Sequence, residues 1–131
     1  MPSYLPLHMP GDTITLKASA NVTGGQRVAV SGNRSVATAT AATKAAYVGV
    51  AAFDAATNGD VTVYGRGMVH ETLASGAITA GDHITSANAG RVAAVATAGT
   101  ATAADINNAR AVDGIALTTA ADGVPVLWMA I

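Results

Sequence analysis

Val22-Thr23-Gly24-Gly25-Gln26-Arg27-Val28 returns later in the chain as Ile78-Thr79-Ala80-Gly81-Asp82-His83-Ile84. Each copy runs on into a turn and a short apolar stretch, Ser31-Gly32-Asn33-Arg34-Ser35-Val36-Ala37 in the first and Asn88-Ala89-Gly90-Arg91-Val92-Ala93 in the second. Each half closes on a second echo. Val48-Gly49-Val50-Ala51 followed by Asn58-Gly59-Asp60-Val61-Thr62-Val63 answers to Asp113-Gly114-Ile115-Ala116 followed by Asp122-Gly123-Val124-Pro125-Val126. Gly25 and Gly81 stand 56 positions apart (81 − 25), and Gly59 and Gly123 stand 64 apart (123 − 59). Short apolar runs cut by Gly, Asn and Asp are the pattern of strands joined by tight turns. The chain therefore reads as all-β: a compact β-sandwich or barrel-like body built from two pseudo-repeated strand-turn-strand halves, about 12–71 and 72–131.

Working outward, Thr13-Ile14-Thr15-Leu16-Lys17-Ala18 alternates polar and apolar and reads as a half-buried strand. Further strands are expected at Arg27–Val30, Tyr47–Phe53, Val61–Tyr64 and Gly67–Glu71, then near 83–86, 91–95, 113–117 and 124–130. Asn33, Gly59, Gly90 and Gly123 stand where tight turns call for positive φ. The segments 37–46 and 96–111 are rich in Ala and Thr and lack a period of two. Thr102-Ala103-Ala104-Asp105 resembles a capping box, so a short helix over about 103–109 and a long surface loop both fit there.

Residues 1–11 form their own segment, an extended N-terminal arm. Pro2, Pro6 and Pro10 forbid a helix, and Tyr4, Leu5, Leu7 and Met9 are too apolar for a solvated tail. These four are the candidate contacts to a neighbouring subunit or partner; the alternative is that they cover the chain's own core.

Of the 131 residues, half are hydrophobic but only 4% are aromatic, so the core must be built chiefly from Ala and Val. Side chains that small remove little surface from water, which favours gaining stability by association. Charged residues are 11% and the net charge is −1, with no basic run, so there is no electrostatic footprint for nucleic acid. No stretch approaches the roughly 20 apolar residues of a membrane helix. The first residues lack the basic and continuous apolar regions of a signal peptide. Without cysteine there is neither a disulfide framework nor a thiolate metal site. Asn21-Val22-Thr23 and Asn33-Arg34-Ser35 match the glycosylation sequon but read as turn residues.

Nothing in either copy reads as a reaction centre. His8, His70 and His83 share no metal-ligand spacing, and His70 and Glu71 fall on opposite faces of one strand. Gly65-Arg66-Gly67 lacks the third glycine of a dinucleotide fingerprint, and there is no phosphate-cradling loop or nucleophile elbow. Asp12, Asp54, Asp60, Asp82, Asp113 and Asp122 adjoin Gly or turn signals and read as turn-formers. The expectation is a protein with no catalytic residue, no cofactor and no metal.

The order of phrases, from Pro10-Gly11-Asp12-Thr13-Ile14-Thr15-Leu16 through both copies to Gly114-Ile115-Ala116-Leu117 and Ala120-Ala121-Asp122-Gly123-Val124-Pro125-Val126-Leu127, resembles the small capsid cement, or head decoration, proteins of tailed bacteriophages. The likeness covers nearly the whole chain. It implies a virion protein made in the host cytoplasm that binds the outer surface of the assembled head and stabilises it. The implied partner is the major capsid protein, and the implied state a homo-trimer. A tail, baseplate or fibre-associated β module is the alternative. A carbohydrate-binding sandwich would need exposed aromatics, and Tyr47, Tyr64 and Trp128 are too few and too strand-embedded.

Overall fold

A computed structural model describes residues 13–95 and 100–131. The arm at 1–11, with Tyr4, Leu5, Leu7 and Met9, lies outside the described residues.

Ten strands are defined: β1 Thr13–Ala18, β2 Arg27–Gly32, β3 Ser35–Thr38, β4 Tyr47–Ala51, β5 Asp60–Tyr64, β6 Val69–Leu73, β7 His83–Ser86, β8 Val92–Ala94, β9 Gly114–Ala116 and β10 Pro125–Ala130. The first five close into a barrel of order β1-β3-β2-β4-β5. The last five form a sheet of order β6-β10-β9-β7-β8, whose ends meet at a parallel bridge between Ala74 and Val92. Both rings therefore run in the same circular order, β6 to β10 standing for β1 to β5. The body is all-β and barrel-like.

The backbone repeats hydrogen bond by hydrogen bond. Val22 and Ala55 exchange N–H and C=O, as do Ile78 and Ala120. Gly25 N–H donates to Ala51 O at 2.8 Å, and Gly81 N–H to Ala116 O at 2.8 Å. Asn58 N–H donates to Ala18 O, and Gly123 N–H to Ala74 O. The repeat distance is thus 56 residues up to β8 and 65 after it (Gly81 − Gly25, then Gly123 − Asn58). The nine-residue difference is an insertion between β8 and β9. It holds the helix α1 Ala103–Arg110, which the capping box starts: Asp105 N–H donates to Thr102 Oγ1, and Thr102 N–H donates to Asp105 Oδ2 at 2.8 Å.

Three expectations need correction. Gly123 pairs with Asn58, not Gly59: φ is +67° at Asn58 and +75° at Gly123. In the first hairpin the left-handed residue is Arg34 at φ +51°, not Asn33, and Gly90 at φ +68° is its counterpart. The segment 37–46 is neither loop nor α-helix throughout: its start belongs to β3, and Ala41–Ala46 is a 3-10 turn. Tertiary pairing explains the strand, because Val36 lies between Ala18 on β1 and Val30 on β2 and is fully buried.

The two cores differ in bulk at matched positions. The first barrel is filled by Ala18, Val22, Val28, Val36, Ala51, Val61 and Val63. In the second, Ile78, Ile84 and Trp128 stand where the first has Val22, Val28 and Val63. Val50 of β4 packs in that second cluster, so the core runs across the seam between the barrels.

Candidate interaction surface

The titratable side chains sort into turn fittings and one buried pair. Asp54 Oδ1 accepts from Gly24 N–H, Asp122 Oδ1 from Gly76 N–H and Asp82 Oδ2 from Thr79 N–H, each within 2.9 Å. Each carboxylate caps a turn, as the sequence indicates. Asp60 instead meets Lys17 at 3.5 Å in an exposed cross-strand pair of little energetic weight.

Asp113 is the exception to its turn reading. It is buried just before β9 and forms an ion pair with Arg27 of β2, itself fully buried. The Arg27 guanidinium also lies over the ring of Tyr47 at 4.0 Å and that of Trp128 at 4.8 Å. Trp128 closes the cluster by donating its indole N–H to Thr72 Oγ1 at 3.0 Å. Around this pair the barrels are also joined by one backbone bond and one side-chain bond: Gly90 N–H donates to Ala39 O, and Ala41 N–H to the side-chain Oδ1 of Asn88. A Cβ on Gly90 would stand 2.7 Å from Cβ of Gln26, so close approach of the barrels requires glycine there.

The seam shifts its own titrations. Burial pushes the Tyr47 phenol up to about 12, against the opposing pull of Arg27. Burial also raises Asp113 above the ordinary carboxylate range, Arg27 opposing. His70 is lowered, first by burial and then by Arg27; it stacks against Trp128 at 5.2 Å and Tyr64 at 6.1 Å between ring centres. Such a cluster locks two bodies in one orientation. It offers no nucleophile facing solvent.

The histidines do not converge. His70 is half-buried on β6 and His83 exposed on β7, with β10 and β9 between those strands, and His8 lies outside the described residues. Among the described residues no three His, Asp or Glu side chains gather as metal ligands would. No helix among the described residues is long and apolar enough to cross a membrane. Trp128 is fully buried, Tyr47 and Tyr64 are half-buried, and Phe53 is about half exposed, which leaves no aromatic platform for a sugar among the described residues.

Surface features remain, among them a hollow of about 400 Å³ on the first barrel, lined by Thr15, Leu16, Lys17, Asn33, Arg34 and Asp60. A cleft of about 350 Å³ opens between the turn at Gly24–Gln26 and the β6–β10 edge at Leu73 and Pro125. A smaller hollow of about 50 Å³ over Asp113 and Tyr47 is rimmed by Lys44, Arg66 and Arg110. Beside the cleft, the outward side of β6 and β10 carries Val69, Leu73, Leu127 and Met129 between 37% and 52% exposed. Sequence reasoning placed its apolar contacts on the arm, at Tyr4, Leu5, Leu7 and Met9, and did not name this face. The seam cluster also escaped it, though the copies differ there: Arg27 matches His83, and Trp128 matches Val63.

No protein-family model matches the chain, and no curated protein matches it. Among solved structures it is similar to the N base of the head fiber gp8.5 of bacteriophage phi29, with a TM-score of 0.60 and 21% sequence identity over 92% of this chain and 93% of that one. At that identity the likeness speaks for the two-barrel fold.

Proposed function

We propose that this chain is a structural protein of a tailed-phage head, a decoration or cement protein seated on the outer surface of the assembled shell. The observation that carries the reading is the shared fold: nearly the whole of this chain superimposes on nearly the whole of a head-fibre base. The chemistry of the surface supports it. A locked pair of small barrels, turn-capping carboxylates and an exposed apolar face suit a body built for contact, and the reading assigns no catalytic side chain, cofactor or metal.

In this reading the partner is the major capsid protein and the working unit a homo-trimer. The mechanism is linkage: a protein that binds the closed shell but not its opened form stabilises the closed shell by its binding free energy. Each copy need contribute only a few kcal/mol, because many sites act together on one particle. Tyr4, Leu5, Leu7 and Met9 are the proposed apolar contacts of the arm.

The similarity to a head-fibre base favours a second reading, the base of a fibre attached to the head. Reconstruction of particles carrying the protein separates the two. Cement gives bare density of this size at repeated lattice positions; a fibre base gives a protruding shaft. Heads lacking the protein should assemble and release DNA at lower temperature, with the release temperature restored when purified protein is added back. Equal release temperatures for bare and decorated heads, or location on tails, defeat the cement reading.

A further inference from the structure

The two barrels supply a control for each other. Cross-strand pairs on the outward side of β1 and β5 are Thr13–Tyr64, Thr15–Thr62 and Lys17–Asp60; their counterparts on β6 and β10 are Val69–Met129, Glu71–Leu127 and Leu73–Pro125. One backbone in one register carries three Thr, a Lys, an Asp and the half-buried Tyr64 in the first barrel, and Val, two Leu, Met and Pro around a single exposed charge, Glu71, in the second. The fold does not ask for apolar residues there, since the first barrel closes without them. Leu117 extends the patch: its N–H donates to Leu127 O, and its side chain is exposed too. The patch then runs into the 350 Å³ cleft, which Leu73 and Pro125 also line. An apolar strip bordered by a cleft is the shape that receives an extended apolar segment.

We propose that this face is a docking site for residues 1–12 of a second copy of the chain. Twelve residues precede Thr13, and Tyr4, Leu5, Leu7 and Met9 among them match the strip in character. Fully extended, such a segment spans roughly 40 Å, enough to leave one body and lie along a strand of another. Its three prolines restrict its free states and so lower the entropy lost on docking. Exchange between copies, rather than return to the same body, adds burial that the first barrel, from which the arm leaves, has little of in its own core: that core is Ala and Val with Leu16 packed against it. When each copy gives one arm and receives one, the exchange closes a ring with no face left open. The inference concerns self-association alone and stands apart from whether the partner is a phage head.

The test uses the purified full chain in three forms. Wild type should be an oligomer by light scattering. A form lacking residues 2–9 should be a monomer, as should the triple variant Val69→Thr, Leu73→Lys, Leu127→Thr, which installs the first barrel's own residues. Circular dichroism and urea unfolding report whether each variant folds. A synthetic peptide of residues 1–12 should bind the deleted form, and roughly tenfold or more weakly when the triple variant is added to it. Should the triple variant not fold, Leu127→Thr alone should still weaken the peptide. A folded triple variant that stays oligomeric, or a peptide that binds both forms equally, overturns the proposal. A monomeric wild type overturns it too, even with face-dependent peptide binding, because the arm then returns to its own body.

Discussion

Arg27 and Asp113, 86 positions apart (113 − 27), form an ion pair in the seam between the two barrels, with the guanidinium fully buried over two aromatic rings. A charge removed from water is costly alone and tolerable when paired, so each residue fixes the need for the other. This contact ties β2 of the first barrel to the start of β9 in the second.

Removing one partner should therefore cost more than removing both. Arg27→Met and Asp113→Leu singly should each destabilise by about 3–5 kcal/mol, the range for breaking a buried pair. The double variant should recover most of that loss. Urea unfolding of the four proteins gives the cycle directly. Additive losses would show that the two charges do not depend on each other.

His70 predicts acid sensitivity. Its folded value lies below the ordinary histidine value because burial and Arg27 disfavour its charged form. A depressed value means that the stability it contributes is present above the unfolded value of about 6.5 and is lost as pH falls through the folded one. Thermal midpoints measured from pH 8 down to pH 5 should fall less in His70→Gln than in wild type. Parallel curves for His70→Gln and wild type would contradict the shift.

Tyr47 predicts the opposite edge. Its phenol rises to about 12 in the folded protein, from an unfolded value near 10. A raised value means full stability below pH 10 and loss as pH climbs towards 12. Ultraviolet titration should show one tyrosine ionising late in the native protein and normally in urea. Tyr47→Phe should abolish that late step without a stability cost at pH 7, because the buried hydroxyl lacks a hydrogen-bond partner.

What the sequence reveals here follows from how locally each feature is encoded. The strand-and-turn pattern of both halves is legible because Gly25, Gly81 and Gly123 punctuate short apolar runs, and each sits at positive φ. The helix was one of two options at 103–109 because Thr102 and Asp105 cap each other across three residues. β3 was illegible: Ser35-Val36-Ala37-Thr38 merges into an Ala/Thr run, and only pairing with β1 and β2 makes it a strand. Arg27 and Asp113 are each unremarkable in their own phrase, one after a turn and one before a glycine. Their meeting is a property of packing, which neither phrase contains. The apolar face is written locally, yet its meaning emerges only when β6 and β10 are laid over β1 and β5.

Gly49 and Gly114 give a prediction graded by what each would strike. They are counterparts in the repeat, on β4 and β9, each close against the strand paired beside it, β5 and β10. A Cβ at Gly49 would stand 2.1 Å from Tyr64 O and 2.6 Å from Val63 Cγ1, so it meets backbone that the barrel holds in place. At Gly114 the nearest atoms are Trp128 Cε3 at 2.9 Å, Ile84 Cγ1 at 3.0 Å and Met129 O at 3.0 Å, two of them side-chain atoms. Overpacking a core costs about 1–3 kcal/mol where the surroundings can adjust, and more where they cannot. Gly114→Ala should fall within that range, because Ile84 can shift by a few tenths of an ångström, and Trp128 at some cost to its bond with Thr72. Gly49→Ala should exceed it, since relief requires moving β5 against its pairing with both β1 and β4. Urea midpoints for the two variants provide the comparison. Equal losses would mean that β5 yields as readily as the side chains around Gly114, against its pairing with both β1 and β4.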